Sequence, residues 1–508
     1  MNARIAAVSS ALTLAALAGS AHADTIYWNT NGPSTAWGNP ANWIGGVVPG
    51  FSDFVVITPG AGPQITGFVV ISGLYIQPGG GLVVLSQFNV NGGASIQGTM
   101  SIAGQPAHFY HRDDVNLEGR ITLWSGGNVS RMNGGTGVLT VRPTGSIVVP
   151  NYDTSGVILG TAMQVDGLID VQSTYPVNVG RWVSETSDNT YISINSGGTL
   201  RYSHSGSMTA TAYPNQSSPY IVNAGTIDIE GLLSDVVNFS ATLPVFNAGV
   251  LLVNQPDVHI RSSWDITPDG TLTRGQWACS SFGRVFFDNN TLNSVGAGAL
   301  VYLTGYGSTI SGLGNARENA GTIILDNTAS MYFAPPGGTF TNHGRIQIGE
   351  RSTLSTLNQF YNAHDATIDC WITGSTPGSY GTINAGTAAL AGTFNAYFGA
   401  GYLNPSTGDI LQVVSSGSWL SGQFETVNIL NTPASVRTEY DVNAARLVVG
   451  CPADFDGDAS VDFFDYDAFV NCFEGNACPA AKTADFDGDG TVDFFDYDAF
   501  VVAFETPC

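Results

Sequence analysis

The sequence predicts a mainly β protein: a right-handed parallel β-helix with capping segments, followed by a small α-helical C-terminal domain. Three observations lead there. Between residues 24 and 450 the chain is rich in Gly, Thr, Ser, Asn and Val, contains no Lys and carries no long helical period. Its short alternating apolar runs are cut by Gly and Asn turns, the pattern of strands with one buried face. From Cys451 onward the character changes, with fourteen Asp or Glu set against one Lys, Lys482.

The N-terminus reads as an export signal over residues 1–23. Arg4 supplies a positive charge, Ile5 to Gly19 form a short apolar run, and Ala21-His22-Ala23 fits a small-x-small cleavage site. The run is too short to span a bilayer, and no second candidate span follows. We therefore expect a secreted, extracellular or cell-surface protein, with its cysteines in an oxidising compartment. The expected organisation is an N-terminal cap over 24–84, the β-helix over 85–395, a C-terminal β cap over 396–450 and the acidic domain over 451–508.

A weak repeat supports the solenoid. Asn-x-Gly-like turns lead into strands at Asn223, Asn247, Asn319, Asn342, Asn362 and Asn384, with Asn91, Asn133 and Asn195 extending the pattern less regularly. A period of about two dozen residues suits coils that bury their faces only by stacking on neighbours. The aligned asparagines are expected to form a ladder. A string of β-sandwich hairpins, whose turns also favour Asn and Gly, is the alternative at this stage. A regular solenoid further predicts that Cys279 and Cys370 are unpaired. Four coils at ~4.8 Å each hold them ~19 Å apart, whereas a disulfide needs Cα atoms within ~7 Å.

The acidic domain says one sentence twice. ADFDGDASVDFFDYDAFV begins at Ala453 and ADFDGDGTVDFFDYDAFV at Ala484, differing at Ala459/Gly490 and Ser460/Thr491 only. Asp454, Asp456, Asp458, Ser460, Asp462 and Asp465 fall at loop positions 1, 3, 5, 7, 9 and 12. Asp485, Asp487, Asp489, Thr491, Asp493 and Asp496 repeat them. That spacing wraps one loop around a calcium ion, which takes six to eight oxygens, so two calcium ions are expected. Gly490 stands at position 6, where positive φ is wanted; Ala459 would be strained there. Tyr466, Phe469, Val470 and Phe473, with Tyr497, Phe500, Val501 and Phe504, recur near helical spacing and are expected to make a shared core. Clasping bridges Cys451–Cys508 and Cys472–Cys478 are favoured among the three possible pairings.

The pair of loops resembles the type I dockerin module, in which two calcium loops are each followed by one helix. The resemblance implies a cohesin-like or cell-surface protein as partner. Where that family carries Ser-Thr-like pairs at positions 10 and 11, this chain has Phe463-Phe464 and Phe494-Phe495. These could dock on an apolar partner or cover the domain's own core. At the other end, Tyr27-Trp28, Ala36-Trp37-Gly38 and Asn42-Trp43 resemble the N-terminal cap of secreted autotransporter-like β-solenoids. Tyr402 to Ile410 and Trp419 to Glu425 resemble the segment that closes them.

The net charge of −24 argues against nucleic acid, which needs a basic footprint. Parallel β-helices also carry polysaccharide hydrolases and lyases, and this is the alternative function. The best local candidate is His111-Arg112-Asp113-Asp114, which resembles the adjacent-Asp element of polygalacturonases; its companion elements are missing, and a charged turn is the better reading. His108 and His111 have the wrong parity to share a strand face as metal ligands. Trp124, Trp182, Trp264, Trp277 and Trp371 could stack on sugars, and polysaccharide is a possible partner, but an aromatic core accounts for them too. No catalytic residue is assigned.

Overall fold

The computed structural model describes residues 24–508, apart from 106, 133, 152–155, 181–189, 211–218, 241, 262, 289, 433–434, 459, 480–481, 488–489 and 506–508. The chain divides into two compact units, Met1–Thr267 with Arg274–Thr291, and Pro268–Thr273 with Leu292–Cys508. The predicted signal segment, Asn133, Trp182, Ala459, Asp489 and Cys508 lie outside the described residues.

The first unit consists of long parallel sheets, to which successive strands of the chain contribute in rotation. One sheet stacks β1 (Val69–Ile71), β2 (Gln87–Val90), β3 (His108–His111), β4 (Asn128–Arg131), β5 (Val157–Gly160), β6 (Val177–Val179), β7 (Gly206–Ala210), β8 (Val236–Phe239), β9 (Asp257–Ile260) and β10 (Arg284–Phe286). Every pairing along it from β1 to β10 is parallel. Alternation decides which face is inside: Phe88, Phe109, Val129, Leu159 and Val179 stand in register as a fully buried row. Each such side chain contributes ~1.5–3 kcal/mol on burial, and only because the next coil covers it. Repeat-like parallel β structure is therefore what the chain forms, and the hairpin alternative is set aside.

At the start of the first unit, Trp28, Trp37 and Trp43 are buried together, Trp43 meeting the other two edge-on at 5.0 and 4.8 Å. The buried Asn42 amide donates to Ala36 O at 2.8 Å, tying the connecting loop under these rings. Trp37 also contacts Phe88, the first ring of the inner row.

In the second unit the strands Thr322–Asp326, Arg345–Ile348, Thr367–Ile372, Thr393–Phe398 and Thr426–Leu430 stack in parallel. Direction then changes. Ala444–Val449 runs antiparallel to both Ile410–Ser416 and Val436–Tyr440, ending the parallel stack.

The asparagine ladder forms in part. In the first unit Asn223 Nδ2 donates to Asn247 Oδ1, and in the second Asn319 donates to Asn342 and Asn342 to Asn362, all at 2.8 Å and fully buried. Asn384 does not join. It pairs in register with Ser355, its side chain exposed, and Asn362 donates to Ala391 O instead. Asn195 is also displaced by one position, because Ile194 is the residue in register with Asn223. A turn motif fixes the presence of a bend; a one-residue offset in register moves its side chain out of the row.

Neither Cys279 nor Cys370 forms a disulfide, as the solenoid spacing predicts; both are buried, and burial pushes both thiols up to about 12. Cys472 and Cys478 form a disulfide; the pairing expected for Cys451 with Cys508 falls outside the described residues. Among the described residues no helix is long and apolar enough to cross a membrane.

Candidate metal centres

Residues 451–505 hold two helices, α1 (Phe463–Phe473) and α2 (Phe494–Glu505). The core they share is assembled from equivalent residues of the two copies. Phe469 stacks on Phe500 with centroids 4.0 Å apart, and Phe455 and Phe486 meet both rings edge-on. Tyr466, Phe473, Tyr497 and Phe504 pack around them as the helical spacing predicts, while Val470 and Val501 lie outside the cluster. The second residue of each loop, Phe455 or Phe486, was not singled out from sequence. Its place between the first two acids of each loop was the available signal.

That inward anchor bends each loop around its carboxylates. Asp454, Asp456 and Asp458 bring carboxylate oxygens within 4.8 Å of one another, and Asp485, Asp487 and Asp496 do the same in the second copy. Asx turns shape the first loop, with Asp458 N donating to Asp456 Oδ1 at 3.1 Å and Ser460 N to Asp458 Oδ1 at 2.8 Å. In the second loop Gly490 adopts the expected positive φ of 90° and donates to Asp485 Oδ2 at 3.1 Å.

The remaining acids divide the work differently from the simple ligand count. Asp462 and Asp493 cap α1 and α2, accepting from Phe464 N and Phe495 N at 2.8 Å each. Asp465 and Asp496 are fully buried. Asp465 accepts from Asp456 N and Asp462 N; Asp496 accepts from Phe486 N, Asp487 N and Asp493 N. They close the loops onto the helices while keeping lone pairs for a further partner. Ser460 and Thr491 carry exposed side chains.

Electrostatics follow the crowding. Loss of water around Asp456 comes first, and the Asp465, Asp458 and Asp454 carboxylates add to it, so its carboxyl is raised. Burial also works to raise Asp496, but its backbone N–H donors outweigh that and hold it below the usual carboxylate range. Lys482, the only Lys of the chain, donates to Asp454 O at 2.9 Å and to Ser435 Oγ at 3.1 Å, with Nζ 5.5 Å from the Phe455 ring centre. Burial lowers its ammonium pKa, against the pull of Asp454, Asp465 and Asp456. Both acid clusters offer only oxygen, the donor set of a hard metal ion rather than of a soft one.

The two aromatic pairs point away from this core. Phe463 and Phe494 are each 70% exposed, Phe464 and Phe495 each 67%. Of the two readings the sequence left open, covering the domain's own core is set aside.

Elsewhere, His111 lies inside the first unit, bonded to Asp113 O and Thr161 Oγ1, while Arg112, Asp113 and Asp114 form an exposed turn. His108 sits on the opposite face of the same strand, so the two histidines do not converge. Trp277 is fully buried, Trp371 stacks on Tyr397, and Trp264 is exposed beside Tyr220. No protein-family model matches this chain, and no curated protein shows significant similarity to it.

Proposed function

We propose that the chain is an exported β-solenoid display protein whose dockerin-like C-terminal module binds two calcium ions and, ordered by them, docks on a cohesin-like or cell-surface protein. The observation that carries this reading is the duplicated carboxylate cluster, bent by Phe455 and Phe486 over one aromatic core and flanked by exposed Phe463-Phe464 and Phe494-Phe495. Asp454, Asp456, Asp458 and Asp465 would hold one ion, Asp485, Asp487, Asp489 and Asp496 the other, with Ser460 and Thr491 contributing backbone carbonyls. Asp462 and Asp493 would act through water, since their side chains cap helices. The ions would cancel the mutual repulsion of the carboxylates and lock each loop against its helix.

The alternative of a polysaccharide hydrolase or lyase is not adopted. His111 to Asp114, which would supply its chemistry, are divided between the interior and a turn.

Titrating the full chain with calcium by calorimetry tests the proposal. Two ions per chain are expected, with release of the 451–508 region to protease on adding EGTA. A stoichiometry below one, or equal protease resistance with and without EGTA, overturns it.

A further inference from the structure

The outer face of β3 to β7 in the first unit contains a cavity of about 510 Å³. One of its walls is a single row of outward side chains, one from each strand: His108, Asn128, Ile158, Asn178 and Thr209 stand in consecutive parallel register. At ~4.8 Å per strand the row is ~19 Å long. The turns leading into β3 to β6 form a rim with Gln105, Gly126, Gly156 and Pro176.

The row is built to present neutral polar groups. Asn128 Nδ2 donates to His108 Nδ1 at 3.0 Å, which fixes the imidazole tautomer and leaves Nε2 to donate. His108 also stacks on Tyr110, and burial lowers its pKa, which favours the neutral ring. Asn128 is itself more than nine-tenths buried, yet its Oδ1 meets no hydrogen-bond donor among the described residues. A buried acceptor without a donor costs ~1–3 kcal/mol; this oxygen has no exposed surface, so the row offers a ligand its partly exposed members, His108, Asn178 and Thr209. The volume falls in the range of ligand sites.

We propose that this row binds a linear, uncharged polysaccharide segment. Hydroxyl groups would exchange hydrogen bonds with His108, Asn178 and Thr209, while Val157, Ile158 and Pro176 take the C–H faces of the rings. Among the described residues that line it none is an acid, Arg or Lys, which disfavours an anionic polymer. A peptide added as an extra strand is disfavoured because β3 to β7 are interior strands, each already paired on both sides. The inference is independent of the calcium reading of the C-terminal module.

The test is calorimetry of the full chain against cello-, xylo-, manno-, malto- and laminarihexaose, with hexagalacturonate and a neutral extended hexapeptide as comparisons, in calcium and in EGTA. At least one neutral hexasaccharide is expected to bind, unchanged by EGTA. Asn178→Ala and Thr209→Ala, folded by circular dichroism, each weaken it about tenfold, the scale of one lost hydrogen bond. Thr209→Trp, which fills the row, abolishes it. Binding of none of the five, stronger binding of hexagalacturonate or peptide, or affinity untouched by all three substitutions overturns the proposal.

Discussion

Lys482 donates its ammonium proton to the backbone carbonyl of Asp454 across 2.9 Å. The single Lys of the chain thus lies against the first acidic loop, held on its other side by Ser435. It is a built-in counter-charge for carboxylates that repel one another, and it competes with any added cation. Lys482→Met is expected to tighten calcium binding at the first loop several-fold while lowering the melting temperature in EGTA. Calorimetry and thermal melts check both directions; weaker calcium binding would contradict the competition.

Asp496 collects three backbone N–H groups in a buried position. Asp496→Ala leaves those donors without a partner, at ~1–3 kcal/mol. One calcium site is expected to disappear, with the stability of the C-terminal module falling in EGTA as well. Asp462→Ala is expected to cost only the ~1 kcal/mol of a helix cap and to keep both sites. Calcium stoichiometry distinguishes the two.

The exposed aromatic pairs predict a separation of docking from folding. Phe463→Ser with Phe464→Ser is expected to leave calcium stoichiometry and melting temperature unchanged, because those rings add little to the core. Retention of the calcium-loaded protein on a phenyl matrix should drop. A large loss of stability would mean that the rings are structural.

Asn342 donates to Asn362 and accepts from Asn319 while fully buried. Asn342→Leu breaks both links and strands one amide N–H of Asn319, whose other donates to Arg345 O, and the Oδ1 of Asn362, so a loss of roughly 2–4 kcal/mol is expected in chemical denaturation. The same change at Asn384, whose side chain is exposed, should be within ~0.5 kcal/mol of neutral.

Burial lowers His111 to about 4, more than the neighbouring Asp113 carbonyl can restore. An unfolded histidine titrates near 6.5, so the unfolded chain binds the extra proton between those values. This contribution is fully present above pH 6.5 and is lost as pH falls towards 4, on the order of 3 kcal/mol in total. His111→Gln should flatten that part of the stability–pH curve, measured by denaturant titration at pH 4.5 and 7.

How much could be read in advance differs between the two ends of the chain. In the C-terminal module the loop positions, the glycine of positive φ and the aromatic stripe follow from contiguous residues, since a loop of twelve and one helix are local objects. The division of labour among the acids was not legible. Whether Asp462 caps a helix or faces the cluster depends on where α1 begins relative to the core, and Phe455 sets that. The role of Lys482 was hidden too, because its partners stand 28 and 47 residues away.

Alternation of apolar and polar residues and the Asn-Gly turns pointed to parallel coils with buried rows while leaving sandwich hairpins open, and coil spacing predicted that Cys279 and Cys370 form no disulfide. Tertiary structure alone decided register: which asparagines meet, and which outward residues line up as His108, Asn128, Ile158, Asn178 and Thr209. Those five lie 20 to 31 positions apart in unequal steps. Turn lengths vary from coil to coil, and a strand's period of two cannot say which residue of one coil lies above which residue of the next.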